Sequence, residues 1–500
     1  MEPLIHTTTY GDILRLTGPE WILVITALVV LAASFIRSST SSAPCSTRTL
    51  TWISLAGTVL AGGVLLFNQP LGIVKGDVFF VSEGTRWVKL GILLLASLSL
   101  WLHLGTEKRL NHQGEFHALL LFAVVGMLLL VGADHLILVF IALELTALSL
   151  YVLTGFEKNK SISSQTAYKY FLIGSVSAAL LLYGFSLIYG VSGHMHLTDI
   201  QLAIASKPAD SLLALGLVMA LAGFGFKIAA APFHMWAPDV YQTAPTPVSS
   251  LIASASKVAG FFVLGRFLWG GFAGHAGSIQ WTNWTSGWLP MLGLLACLSM
   301  LIGNLSALKQ MNLRRLLAYS AVAHSGYALL GITSPEPLGP SSVSFYMLTY
   351  GISIVGMFGL LQILDQNGGA GDFKSLEGLR FKSGWMAACL MILILSMAGI
   401  PPMVGFLAKF NLFIAALKGS SEPMGLILLV VLALGASAVS LYYYLKILKT
   451  AFCTDQAEGD QSIQINTYQF TLVSFTVIGV IILGLFPEPI LSRLTHAIGI

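Results

Sequence analysis

Charge is what this sequence has least of. Asp, Glu, Lys and Arg make up 10% of its 500 residues, against 56% hydrophobic residues and a mean hydropathy of +0.82. A water-soluble domain carries about 25% charged residues. This chain cannot cover itself in water, and a bilayer is its natural solvent. Blocks of basic residues are missing too, so no nucleic-acid partner is expected, and the net charge of +4 says little by itself. Cysteine is scarce. Cys45, Cys297, Cys389 and Cys453 form no C-x-x-C pair and stand beside no His cluster, which argues against a zinc or iron–sulfur site built by this chain. They read as small apolar residues in or beside helices. The N-terminus has no basic segment, and its first apolar run begins late, near Trp21, so it does not read as a signal peptide.

Long apolar runs are what the chain has in abundance. A span needs about 20 mostly apolar residues. Fourteen such segments are predicted, at 20–36, 50–67, 87–104, 116–132, 134–155, 164–190, 212–232, 244–268, 288–304, 314–333, 342–364, 384–418, 424–449 and 466–486, the twelfth of them interrupted. The class is therefore an all-α polytopic membrane protein. The turn between 116–132 and 134–155 is so short that the two must be tightly packed antiparallel neighbours. With the N-terminus outside, fourteen Lys and Arg residues, Lys108 and Arg109 among them, fall on the inner side, and eight, including Lys75, Lys89 and Lys207, fall at outer ends. This bias places both termini outside.

Of the 26 Lys and Arg residues four remain, Lys169, Lys227, Lys257 and Lys409, all inside apolar runs together with one acid, Glu144. Each ionisable group at mid-membrane costs roughly 2.5–3.5 kcal/mol on insertion scales. Five are a heavy burden for a purely structural bundle. Two bland readings stand beside the functional one. Lys169, about five residues into its run, is close enough to an end to snorkel, and the others are open to a buried ion pair. Glu144 has apolar neighbours on every side, and the sequence offers Lys169, one helix on, as its partner. All four cations are Lys and none is Arg. Burial weakens the hold of an ammonium on its proton, whereas a guanidinium stays charged, so a line of lysines is able to load and unload protons.

Two of the runs are broken beside a lysine. LAGFGFKIAAAPFHMWAPDVY has Gly223, Gly225, Lys227 and Pro232, and LSMAGIPPMVGFLAKF has Gly399, Pro401, Pro402, Gly405 and Lys409. Pro removes a helix hydrogen bond, and irregular backbone at membrane depth is tolerated only beside protein or water. Paired interruptions in two halves point to an inverted-repeat transporter. The chain divides on this basis into three N-terminal helices (1–110), a first five-helix repeat (116–268), a second (288–449) and a closing helix (466–486). An odd number of helices per repeat inverts the second half. His324, with Ser320, Ser325 and Tyr327 around it, reads either as a proton relay between the halves or as a packing histidine. His234 lies near the inner surface, where protons would enter. His194, His196 and Asp199 have the look of a metal triplet, but an outer loop carries them and a metal is not expected there.

At these residues the chain resembles a known family, the antiporter-like membrane subunits of respiratory NADH:quinone oxidoreductase, over nearly its whole length. The stretches that carry the resemblance are ELTALSLYVL with Glu144, AYKYF with Lys169, FKIAAAPFHMWAPDVYQTAPTPV with Lys227, SASKVAG with Lys257, NLRRLLAYSAVAHSGY with His324 and MAGIPPMVGFLAKF with Lys409. Within the family it is most similar to the subunit N type, called subunit 2 in mitochondria. Lys409 stands where the M type has Glu, and no long lateral helix follows the fourteenth span as in the L type. The resemblance implies a coupling ion pair at Glu144 and Lys169, a central lysine at Lys227, a connecting lysine at Lys257 and a terminal lysine at Lys409, with His324 between the halves. No key position departs from the pattern. It also implies that NADH, FMN, iron–sulfur clusters and quinone are bound by other subunits, and that this chain's partners are neighbouring membrane subunits and a peripheral redox arm, in a bacterial plasma membrane. A subunit of a multi-subunit cation/proton antiporter, with no redox partner, shares the same motifs and is the rival expectation. A purely structural scaffold is the third.

Overall fold

In the computed structural model the described residues are 5–6, 10–40, 47–67, 69–74, 78–106, 112–158, 160–205, 210–279, 284–334, 338–369, 371–418, 424–454 and 463–498. Cys45, Lys75, Lys108, Arg109 and Lys207 lie outside them. The chain runs through α1 (Tyr10–Leu16), α2 (Gly18–Thr40), α3 (Thr47–Phe67) and α4 (Glu83–Leu104), then α5 (Gln113–Gly132), α6 (Leu136–Thr154), α7 (Ser161–Ser192) and the short α8 (Leu197–Ile204). The first broken region is α9 (Ser211–Lys227), α10 (Ala237–Thr243), α11 (Thr246–Ala253) and α12 (Ala255–Phe272). There follow α13 (Trp288–Leu308), α14 (Leu313–Ile332), α15 (Leu338–Gln366) and the four-residue α16 (Leu379–Lys382). The second break separates α17 (Gly384–Ala398) from α18 (Val404–Lys418), and α19 (Met424–Cys453), α20 (Thr467–Leu485) and α21 (Glu488–Ile498) close the chain. Three two-residue strands, β1 (Ile5–His6), β2 (Gly72–Ile73) and β3 (Phe80–Val81), form a small sheet in that order, parallel then antiparallel.

Eleven helices among the described residues are long and apolar enough to cross a membrane. The fourteen segments do not all pass on that measure, for reasons the structure makes plain. Segments 212–232 and 384–418 are cut into shorter pieces by their breaks. Segment 314–333 forms an unbroken helix, α14, but it carries Arg314, Arg315, Ser320, His324 and Ser325 and is buried on all sides. It pays for polarity by being enclosed in protein, whereas a lipid-facing helix has to be apolar. The tight pairing of α5 and α6 is found as expected: a Cβ on Gly126 would come within 2.8 Å of the Thr146 nitrogen and 2.9 Å of the Ala142 carbonyl. Small residues at such a crossing let two backbones approach closely.

Segment 244–268, predicted as one run, is two helices meeting at Ser254, whose φ of −112° and ψ of −88° interrupt the spiral. No Pro or Gly marks the place, so the sequence carried no signal. Lys257 stands in the first turn of α12, directly after this break. All three deep lysines are thus set beside interrupted helices.

Candidate functional site

The first break opens where α9 ends, at Lys227. Ala229 takes the left-handed conformation, with φ 55°, which an L-residue adopts only under constraint. The polar backbone groups freed here are met by side chains from elsewhere. Ser325 on α14 donates to the Ile228 carbonyl (2.7 Å), Trp236 Nε1 donates to that of Phe226 (3.1 Å), and the Ala231 N–H donates to Ser299 Oγ on α13 (2.9 Å). Unwound backbone at membrane depth persists only when satisfied in this way. Two of the three supports come from the second half of the chain, so the halves are locked at this point.

Lys227 is 7% exposed, and its Nζ has no hydrogen-bond partner among the described residues. Lys257, 2% exposed, donates to the Ala321 carbonyl (2.6 Å) and to Ser325 Oγ (2.8 Å), both on α14. Ser325 therefore touches the break at Ile228 on one side and Lys257 on the other. Lys409, 5% exposed, donates to the Ala398 carbonyl and to Ser437 Oγ, each at 3.0 Å. The first of these caps the open C-terminus of α17 with a cation, the favoured sign there. Gly399 makes room for it. With φ 84° it turns the chain out of α17, and a Cβ at that position would lie 3.0 Å from Lys409 Cδ and 3.3 Å from Nζ.

His324, one helical step from the Lys257 contacts on α14, is held between two tyrosines. Its Nδ1 meets the hydroxyl of Tyr346 on α15 at 2.6 Å and its Nε2 that of Tyr444 on α19 at 3.2 Å. Tyr444 is also hydrogen-bonded to Ser320. A neutral imidazole has one donor and one acceptor nitrogen, and hydroxyls, able to play either part, suit both tautomers. Sequence reasoning named His324 and Ser320. It missed Tyr346, Tyr350 and Tyr444, whose helices reveal nothing in sequence about which tyrosine faces inward.

Two expectations are corrected. Lys169 does not pair with Glu144. Its ammonium reaches the Asp239 carboxylate on α10 at 2.5 Å, and Arg315 on α14 holds the other oxygen at 2.7 Å. The Lys169 side chain is 47% exposed, in the first third of α7. Partial burial pushes the Asp239 carboxyl up, but the hydrogen bonds and charges of Lys169 and Arg315 outweigh this and hold it below the usual carboxylate range. Glu144, half-buried, shares one side of α6 with Ile141 and Leu148, which are exposed.

The second correction concerns Lys89, read as an outer-end residue. It is fully buried in α4 and bound at 2.7 Å to Glu20 of α2, itself 3% exposed, with its ammonium over the Phe79 ring. Arg266 of α12 likewise pairs with Asp134 (2.8 Å) and lies over Phe80. The remaining histidines are placed more plainly. His234 is 8% exposed, 6.1 Å from the Tyr319 ring, and the His196 ring meets that of His135 edge-on at 4.7 Å.

Helix breaks set beside buried lysines, around one polar helix at the centre of a bundle, define an antiporter-like membrane protein. The family model described as NADH:quinone oxidoreductase/Mrp antiporter, TM, matches residues 133–437, the stretch that contains every one of these lysines. The chain belongs to this family. A relative in Acidobacterium capsulatum named NADH-quinone oxidoreductase subunit N 2 is 44% identical over 463 residues, covering 91% of this chain and 92% of that one. The structure of respiratory complex I from Thermus thermophilus with bound aureothin contains a chain 30% identical, with a TM-score of 0.77, covering 96% of this chain and all of that one. A chain of the Mrp complex from a Dietzia species superposes with a TM-score of 0.80 at 19% identity, a likeness of fold alone.

Proposed function

We propose that this chain is a proton-translocating membrane subunit of a bacterial NADH:quinone oxidoreductase, of the subunit N type, seated in the plasma membrane. NADH, FMN, the iron–sulfur clusters and quinone belong on this reading to other subunits, with neighbouring membrane subunits and a peripheral redox arm as partners. The observation that carries it is the run of Lys227, Lys257 and Lys409, each buried beside a helix break, with Lys257 and the first break both bonded to Ser325 on α14 and with His324 and Lys409 lining one cavity. A change of charge near Glu144 acts first on Lys227, the lysine with no other partner. Lys257 and Lys409, each held by two oxygens, receive the proton in turn and pass it to the outer side. Lys169 contributes at the inner rim through Asp239. The fourteen-span count and the inverted five-helix repeats at 116–268 and 288–449 are part of the same proposal, supported by the matching breaks at Lys227 and before Lys409. The antiporter reading shares the fold. Identity of 44% over nine-tenths of the chain favours the oxidoreductase.

The test is Lys227→Ala in the assembled complex, checked on a native gel, in membranes energised with NADH. Loss of both quinone reduction and proton uptake is the expected result. Normal values for both would sink the assignment of Lys227.

A further inference from the structure

Between His324 and Lys409 lies a small cavity. His324, Tyr346, Tyr350, Ser353, Ser396 and Lys409 line it. It has space for about one water molecule, and a water needs two to four polar partners to stay. Two such partners stand uncommitted. The Tyr350 hydroxyl is buried, in a residue 5% exposed, and has no hydrogen-bond partner among the described residues. The Lys409 ammonium spends two of its three hydrogens on Ala398 and Ser437. A third partner is the Tyr346 hydroxyl, already 2.6 Å from His324 Nδ1. Tyr346 and Tyr350 are four residues apart on α15 and so share one face of it. A buried hydroxyl left unpaired costs about 1–3 kcal/mol, which is offset when a water takes it.

We propose that Tyr350 is a positioning residue, holding one water that bridges Tyr346 to Lys409 and completes the path from His324. The inference rests on the proton-translocating reading above. One proton moves per passage. The Nδ1–H bond of a protonated His324 breaks as the Tyr346 oxygen takes that proton. The hydrogen that Tyr346 carried passes to the water, and a water hydrogen passes to a neutral Lys409 Nζ. His324 ends one proton poorer, Lys409 one richer, and the tyrosine and water are unchanged in composition.

The test uses Tyr350→Phe, Tyr346→Phe and Lys409→Ala in the whole complex. Proton uptake and quinone reduction are normalised to NADH oxidation by a soluble acceptor, and assembly of each variant is checked on a native gel. Lys409→Ala is expected to abolish coupled turnover. Tyr350→Phe is expected to lower it up to about tenfold, one hydrogen bond's worth, with an increased ratio of rates in H2O and D2O that a packing defect would not produce. Tyr346→Phe, which removes the relay oxygen itself, is expected to lower it further. If Lys409→Ala abolishes turnover while Tyr350→Phe leaves rate and isotope ratio at wild-type values, the water bridge is overturned and the lysine path stands. If Lys409→Ala is itself silent, both readings fall.

Discussion

Replacing Ser325 by alanine removes a single oxygen at the point where the halves of the chain meet. That oxygen accepts a hydrogen bond from Lys257 Nζ at 2.8 Å and donates to the Ile228 carbonyl at 2.7 Å, with the Ala321 carbonyl at 2.9 Å as its alternative acceptor. After the change Lys257 keeps only the Ala321 carbonyl, and the Ile228 carbonyl, at the mouth of the first break, loses its donor. A hydrogen bond to a charged group contributes about 1.5–3 kcal/mol. At about 1.4 kcal/mol per factor of ten, any step in which Lys257 carries the proton slows by roughly ten- to a hundredfold. Ser325→Thr retains the hydroxyl and is expected to restore most of the rate. A filler of space would not distinguish the two substitutions in this way. The assay is NADH-driven proton uptake by vesicles carrying the assembled complex, normalised to NADH oxidation by a soluble acceptor. Wild-type uptake in Ser325→Ala would refute the reasoning.

Two further perturbations follow from the corrected ion pairs. Asp239→Asn frees Lys169 and Arg315 at the inner rim. The exposed pair contributes at most about 1 kcal/mol, so labelling of Lys169 by a membrane-impermeant amine reagent added to the inner side should quicken by up to about fivefold, and an unchanged rate would remove the clamp from consideration. Because the Asp239 carboxyl is held below its usual range, the wild-type clamp contributes above about pH 4 and weakens only as pH falls below it. It therefore stays closed throughout pH 5–8. Glu20→Gln strands the fully buried Lys89 charge. Breaking a buried pair costs about 3–5 kcal/mol, seen as poor assembly on a native gel and early heat loss of the complex. Replacing both partners by leucine should recover much of it, and a Glu20→Gln complex as heat-stable as wild type would show that the pair does not support the fold.

Much of the candidate site was legible because apolar runs make any charge inside them conspicuous. Lys227, Lys257 and Lys409 were found from that contrast, and Pro232 and Pro401 marked two of the three breaks. The third, at Ser254, was invisible, since neither Pro nor Gly stands at Ala253, Ser254 or Ala255. Lys89 was misread because its run begins close to an outer end, where a lysine ordinarily reaches water. The structure places Glu20 against it from 69 residues away.

The sequence by itself determined the solvent, the helical class, most of the ionisable residues in the bilayer and, by its motifs, the family. Composition and short-range pattern decide these, because a backbone in lipid must satisfy itself within a helix or a closed barrel, and apolar runs of about 20 residues select the helix. Partner choice was left to the tertiary structure. Lys169 takes Asp239 from 70 residues along the chain and Lys257 takes Ser325 from 68, while His324 is reached by Tyr444 from 120. An apolar helix has no strong face of its own, so which side chains meet is settled only when the whole bundle packs.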